Sequence, residues 1–513
     1  MFDLLDRMKP MVRRAVLALV GGFLTAGVAL AATDRVEDRA LRDGITALAA
    51  MVADPAQASA PAQTLLQQAG LASLVAPTAP PGPIRPPANP VRSNSPVEAQ
   101  PLDMRLALTM LTQIAGARDT QAVLTAQGPE SDLRALVIRK GDATLTDVAL
   151  FLSHYRLQDT AAGDLILRVP LVIWEGATLT LKPGETLRLS RPDGAFMVNF
   201  GHITMEGATA RIEGDVNPYL ARFAPFMTTA GSGTFYIQNS EFHDLGFGRT
   251  RAFAGFSMMR NNLMVVRNRS FIRDSLFRGT VSVVVSGASD VALTGNRVFD
   301  ARGEGMIVAG SPRANMVSNI IVGDSKFNAL QVVEGSVDAV VSGNVVLNGE
   351  KAGIVVRSNS HRPHVANNIV WHRKGGGITV DHANCANVQA NFVLDNSQKG
   401  IEVRSSDGAL VRDNHLIQNQ SAGIWISAQE PEARTFVVQN VLHANRSGLA
   451  TATAQEVILQ GNDFRGQFPQ FLSGDVAGQS RHIAENMQGT QPMLLTASGV
   501  SVVPSAIGNC ATH

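Results

Sequence analysis

GIVVRSNSHRPHVANNIVWHRKGGGITVDHANCANVQANFVLDN, residues Gly353 to Asn396, states nearly the same pattern twice. A glycine is followed by apolar–x–apolar, then a polar patch, then an asparagine and a second apolar run; at Gly377 the series restarts. The asparagines extend it in both directions. Asn296, Asn319, Asn344, Asn368, Asn391, Asn414, Asn440 and Asn462 are separated by 23, 25, 24, 23, 23, 26 and 22 residues. A steady period of this size is the signature of a solenoid. The apolar residues alternate with period 2 and the units lack a 10-residue helical stripe, which argues against helical and leucine-rich repeats. The sequence therefore predicts an all-β fold, a right-handed parallel β-helix with one turn per repeat. An asparagine tolerates a left-handed turn between strands, and stacked amides can bond to one another as in cross-β ladders. The asparagine column is accordingly expected to be structural.

The strands after each coil glycine align without gaps: Gly353-IVVRS, Gly377-ITVDH, Gly400-IEVRS and Gly423-IWISA. Side chains alternate across a strand. The second and fourth positions, such as Ile354 and Val356, are expected inside. The third and fifth are expected outside: Val355, Thr379, Glu402 and Trp425 in one column, Arg357, Asp381, Arg404 and Ser427 in the other. Neighbouring rungs lie ~4.8 Å apart, close to the length of one sugar unit, so such a face is a natural ruler for a polysaccharide.

Around this repeat the 513-residue chain divides by composition. Lys9, Arg13 and Arg14 precede an uncharged stretch from Ala15 to Ala32 that ends in small residues. This reads as a signal peptide over residues 1–31, with a single membrane anchor as the alternative. Residues 32–101 are expected as an Ala/Gln-rich stalk and a Pro-rich linker. Residues 102–163 mix helical and strand patterns, as a segment capping the open end of a β-stack would. The β-helix is placed at 164–463 and a C-terminal tail at 464–513. Formal net charge is +1, which gives no bulk field for nucleic acid. Cys385 and Cys510 are the only cysteines; export permits a bridge between them, and free thiols are the other reading.

The runs GATLTLKPGETLRLSRPDGAFMVNFG and RFAPFMTTAGSGTFYIQNSEFHDLGFG, followed by the coils above, resemble the periplasmic mannuronan C5-epimerases of alginate biosynthesis. The likeness runs from about Arg134 to Gly448 and includes segments outside the repeat. It implies an exported β-helix acting on an acidic polysaccharide, alongside other subunits of a secretion complex. C5 epimerisation needs a base for the proton, a cation to neutralise the neighbouring carboxylate and an acid for the return proton. The family supplies the base from an Asp-Pro-His-Asp motif and the cation from an arginine one coil later. In this chain the first Asp of the motif falls on Ile307, the His on Ala309 and the last Asp on Gly310; the arginine falls on Glu334. No Asp or His lies between Gly303 and Asn319.

One to three coils further on, the same face is charged. His382 is the candidate displaced base and Arg357 the candidate neutraliser. Glu334, Asp381, Glu402, Arg404 and Trp425 are candidate substrate-binding residues, Trp425 as a stacking platform. The plainer reading is a surface salt-bridge ladder, worth little in stability. His361 and His364, three apart on a turn, suggest metal ligands only faintly, since Pro363 intervenes and neither Cys nor Asp is near. The basic loop His372-Arg373-Lys374 stands either as a solvated turn or as a flank of a groove. No cofactor, no metal and no nucleic-acid partner are expected; the expected partner is an acidic polysaccharide. Three classes of function follow: an active epimerase or lyase with a rearranged site, a non-catalytic binding or scaffold protein of polysaccharide export, and a structural β-helix without a glycan ligand.

Overall fold

The computed structural model describes residues 36–76, 95–129, 131–158, 165–260, 270–503 and 510. The expected signal peptide and most of the Pro-rich linker lie outside the described residues.

Each coil contributes three short strands, one to each of three parallel sheets. In the coil that opens at Gly353 these are Ile354–Arg357, His364–Ala366 and Ile369–Trp371. The next coil repeats them as Ile378–Asp381, Asn387–Gln389 and Phe392–Leu394, in register with the first. The third sheet stacks 13 such strands. Ile354, Val356, Val365 and Val370 are fully buried, in one apolar core that runs through the coils. This is the predicted right-handed β-helix.

Two columns hold the corners. From Asn296 through Asn440 each ladder asparagine donates its Nδ2 to the next asparagine's Oδ1, at 2.9 Å from Asn368 to Asn391 and from Asn391 to Asn414. It also donates to a carbonyl of an earlier coil. The left-handed residue at this corner is not the asparagine, as the sequence suggested, but the residue before it: Ser318, Gly343, Asn367, Ala390, Asp413 and Gln439 all have positive φ. Bending the chain one residue earlier leaves the asparagine side chain free to turn inward and ladder. A second column, Asn396, Asn419, Asn445 and Gln467, holds the corner before the first sheet. The coil glycines stack because a Cβ on Gly377, Gly400 or Gly423 would come within 2.6–2.9 Å of the next glycine's carbonyl oxygen.

The segment expected as a stalk packs along the solenoid instead. Helices α1 (Val36–Ala53), α2 (Pro55–Ala58) and α3 (Ala62–Gln68) bury Leu41, Ile45, Leu48, Leu65 and Leu66 against Phe299, Ile320, Val345, Ile369 and Leu394 of the third sheet. The third strand of each lower coil is apolar on both faces, so it requires a cover. Asp38 meets His443 at 3.0 Å, both side chains buried. Arg42 pairs with Asp395 and reaches Gln418, and Arg297 donates to the carbonyl of Ala60 at 2.6 Å. Eighteen residues of helix span about 27 Å, so α1 crosses several rungs.

Helices α4 (Met104–Ala115), α5 (Thr120–Ala126) and α6 (Leu145–His154) complete the N-terminal end. Thr144 and Asp147 form a reciprocal cap on α6, which places Val148 and Leu152 on the exposed end of the core. The strand Arg134–Thr144 already pairs in parallel with Leu171–Ile173 and with Ala177–Leu181. The solenoid thus begins inside the segment read as a cap. Its 11 residues are long enough to serve two sheets. At the other end Gln470–Gly474 stacks on Ser447–Ala452, so the first part of the expected tail is a further rung. Met493–Thr496 then pairs antiparallel with Glu456–Gln460 and closes the second sheet. Cys385 and Cys510 are disulfide-bonded, which ties the C-terminal region to the middle coils.

One buried histidine couples this fold to pH. His202 bonds Thr234 Oγ1 at 2.6 Å and Thr204 Oγ1 at 3.1 Å. Burial pushes its imidazole down to about 4 from 6.5. Between those values the unfolded chain takes up a proton that the folded chain refuses. Stability is therefore fully present above the unfolded value and falls as pH drops toward the folded one, by about 3 kcal/mol in all. Urea unfolding across this window should show that slope, and His202→Gln should remove it. An unchanged slope in the variant would place the effect elsewhere.

Candidate functional site

The outer face of the first sheet changes character along its length. Over the early and middle coils its outward side chains are Val172, Val198, Val284 and Ile307, continuous in register through Thr228 and Ser257. They lie in one apolar cluster with Phe223, Phe226, Phe247 and Phe253, as do Ala309 and Val333. Ile307 and Ala309, where the motif's first Asp and its His were expected to fall, are thus buried at 6% and 0% exposure. Arg251, in the short helix Arg251–Phe253, grips Glu334 through two bonds of 2.8 and 2.7 Å. Those bonds hold the Glu334 carboxyl below its usual range. Glu334 is therefore a clasp for the aromatic cover.

Beyond Glu334 the face opens. Arg357, Asp381, Arg404 and Ser427 follow one another on consecutive rungs, as do Val355, Thr379, Glu402 and Trp425. Arg357 and Arg404 are exposed. Asp381 accepts from His382 Nδ1 at 2.8 Å and lies 3.8 Å from Arg404. The chain's turn out of the strand sets His382 in a left-handed conformation at the same corner as Glu334, with its side chain 60% exposed. Among the described residues Arg357 has no carboxylate within ion-pair distance, and Glu334 feels it only at longer range. The structure thus brings Arg357, Asp381, His382 and Arg404 together on adjacent rungs and leaves Glu334 with Arg251.

Trp425 is half-buried, with Lys399 Nζ 5.1 Å from the centre of its ring. The same Lys399 bonds Glu402 at 2.7 Å. Lys399 was not singled out from the sequence, and the signal was available: Lys326, Lys351, Lys374 and Lys399 each occupy the corner before a first-sheet strand. They form one edge of the open face, and Arg357 and Arg404 flank the other. Arg373 is not a solvated loop residue. It is 2% exposed and donates to the carbonyls of Lys351 at 2.7 Å, Phe327 at 2.8 Å and Asn348, fixing the loops that carry Lys326 and Lys351.

His361 Nδ1 accepts from the amide of Asn384 at 3.0 Å. His364 sits beside Asn387, its pKa lowered by burial first and Arg412 second. Both histidines join coil to coil. No group of three His, Cys, Asp or Glu among the described residues is arranged to hold a metal ion.

Comparison with known proteins agrees with this architecture. The family described as right handed beta helix region matches residues 227–385, and the periplasmic copper-binding protein (NosD) family matches residues 328–455. The mannuronan C5-epimerase AlgG of Azotobacter vinelandii is 27% identical over 347 residues, 63% of this chain and 65% of that protein. The mannuronan C5-epimerase of Pseudomonas aeruginosa is 31% identical over 127 residues, 23% of each. The chain spans less than two-thirds of the length of each of these relatives. The crystal structure of the periplasmic alginate epimerase AlgG superimposes with a TM-score of 0.60 at 19% identity, over 75% of this chain and 94% of that one. This chain is similar in sequence to mannuronan C5-epimerases and shares the solenoid fold of AlgG.

Proposed function

We propose that this chain is an epimerase-like β-helix protein that binds an acidic exopolysaccharide along the open coils of its first sheet. In this reading the family's usual catalytic position is replaced by packing. The observation that carries it is the change along one sheet: Ile307 and Ala309 lie under an aromatic cover clasped by Arg251 and Glu334, while Arg357 and Arg404 stand exposed opposite a lysine edge. Guanidinium groups two rungs apart, ~9.6 Å, suit carboxylates on alternate units of a polymer. The similar alginate epimerase of known structure is periplasmic, which supports a periplasmic setting for this chain; work beside other subunits of an export assembly is part of the proposal. Among the described residues no helix is long and apolar enough to cross a membrane.

A second reading keeps the chemistry. His382 hydrogen-bonded to Asp381, beside Arg404 and Arg357, has the parts of a displaced base and neutraliser. Polymannuronate and other uronate polymers incubated with the protein in deuterated water separate the two. The binding reading expects no deuterium at C5 and measurable affinity by calorimetry. Joint Arg357→Glu and Arg404→Glu should weaken that affinity by ~10-fold or more, equivalent to about 1.4 kcal/mol. Deuterium incorporation that His382→Ala abolishes would establish the second reading. Neither exchange nor binding on any uronate polymer would leave a structural β-helix.

A further inference from the structure

The third sheet has a polar stretch that neither the core nor the helical arm uses. Its outward columns are apolar from Leu276 and Phe299 as far as Phe392 and Leu394, interrupted by Arg297, and there α1–α3 cover them. On the preceding rungs both columns are polar. One reads Arg188, Arg211, His243 and Arg278 in strict register; the other reads Thr186, Thr209 and Glu241. A depression of about 450 Å³ lies here, lined by Thr186, Thr209, Arg211, Glu241 and His243, with Asp244 at its side. Volumes from a few hundred cubic ångströms upward suit small ligands held by a few placed polar groups.

The internal bonds leave capacity in these groups. Arg211 gives Nη2 to Glu213 at 3.1 Å, using part of a five-donor fork. Glu241 receives His243 Nε2 on Oε2 at 2.9 Å, and a carboxylate has further lone pairs to offer. Arg278 lies over the ring of Phe299, its guanidinium carbon 5.5 Å from the centre. The hydrogen bond from His243, and then the charges of His243, Arg297 and Arg278, hold the Glu241 carboxyl below its usual range, as expected where cations outweigh the acid locally. A planar donor fork beside hydroxyls and carboxylate acceptors fits a ligand that carries both a carboxylate and several hydroxyls. Arg211 is bonded to Glu213 through one nitrogen, which leaves donors for a ligand carboxylate that a neutral sugar does not bring, and a doubly charged phosphate would be repelled by Glu241 and Asp244 more strongly than a singly charged carboxylate.

We infer that this depression is a second saccharide site, binding one or two uronate units, with Arg211 receiving the carboxylate and Glu241, His243 and Thr209 meeting hydroxyls. The site is argued from its own residues. The choice of a uronate rests also on the acidic-polysaccharide reading above. Two sites on different faces would let one molecule hold two segments of polymer, which raises avidity where both engage together.

The test is calorimetry of the whole chain with a mannuronate trisaccharide, and with mannotriose as the neutral probe. Two classes of uronate site are expected, one lost in Arg211→Ala and one lost in the joint Arg357→Glu, Arg404→Glu variant. Thr209→Tyr, which fills the depression without changing charge, should weaken the same class as Arg211→Ala by ~10-fold or more. Unchanged circular dichroism would separate this from misfolding. Binding lost in the Arg211 and Thr209 variants alone would support this site and sink the first-sheet reading. Binding lost in the Arg357, Arg404 variant alone would overturn this site and leave the other standing. No uronate binding would overturn both, and equal affinity for mannotriose at the Arg211 site would overturn the acidic class.

Discussion

Replacing Asn391 by alanine should lower the unfolding free energy by about 4 kcal/mol, since the substitution orphans several buried groups at ~1–3 kcal/mol each. Asn391 Oδ1 accepts from both the backbone N–H and the Nδ2 of Asn368. Its own Nδ2 donates to the carbonyl of Val365 and to Asn414 Oδ1. The site is fully buried, and water cannot substitute without opening the corner. Gln398, four residues beyond the end of the following strand, is exposed, so Gln398→Ala should stay within about 0.5 kcal/mol. Chemical denaturation of both variants decides the matter. Near-equal losses would mean that the column is decorative. Because each coil contacts mainly its neighbours, hydrogen exchange should also show the damage concentrated in the coils of Asn368, Asn391 and Asn414.

The second large effect is expected at Arg373. Its guanidinium touches backbone carbonyls rather than a carboxylate: Lys351, Phe327, Ala352 and Asn348. Burial pushes its pKa down to about 10, so the group remains charged at neutral pH. Arg373→Met preserves much of the volume and removes every donor. The carbonyls lie near a surface and some rehydrate, so the expected loss is about 3 kcal/mol, at the level of hydrogen bonds to a charged group. The neighbouring chain is shaped around this side chain: Gly349 has φ +105°, and a Cβ there would overlap the guanidinium. Faster amide exchange over 348–352 should accompany the loss. Uronate affinity should fall as well, because the lysine edge is no longer held. Loss of stability with unchanged affinity would remove Lys326 and Lys351 from the binding surface.

Much of this protein was legible in its sequence because a solenoid is a local structure repeated. A coil's period, its inward residues and its asparagine column all follow from neighbours about 22 to 26 residues away. The outward order Arg357, Asp381, Arg404 could be written down from alternation alone. The corner geometry was harder: which of two adjacent residues takes the left-handed turn depends on where the ladder side chain must point. The second ladder was also missed, since Arg373 and Gln467 occupy positions where asparagine would have announced it.

What the tertiary structure decided is which parts of the solenoid are covered. Nothing in the composition of residues 36–75 required them to lie on the third sheet. That follows from the double-faced apolar strands, which cannot face water, and from contacts such as Asp38 with His443 that join residues about four hundred positions apart. The same holds on the first sheet. Ile307 and Ala309 could be read as the places where the motif's first Asp and its His were expected, but only the folded chain shows phenylalanines from 223 to 253 clustered with them, and Arg251 bound to Glu334. Rung-to-rung order is set by the repeat. The choice between a buried face and an open one is made by segments distant in sequence, and their placement rests on packing that no local pattern records.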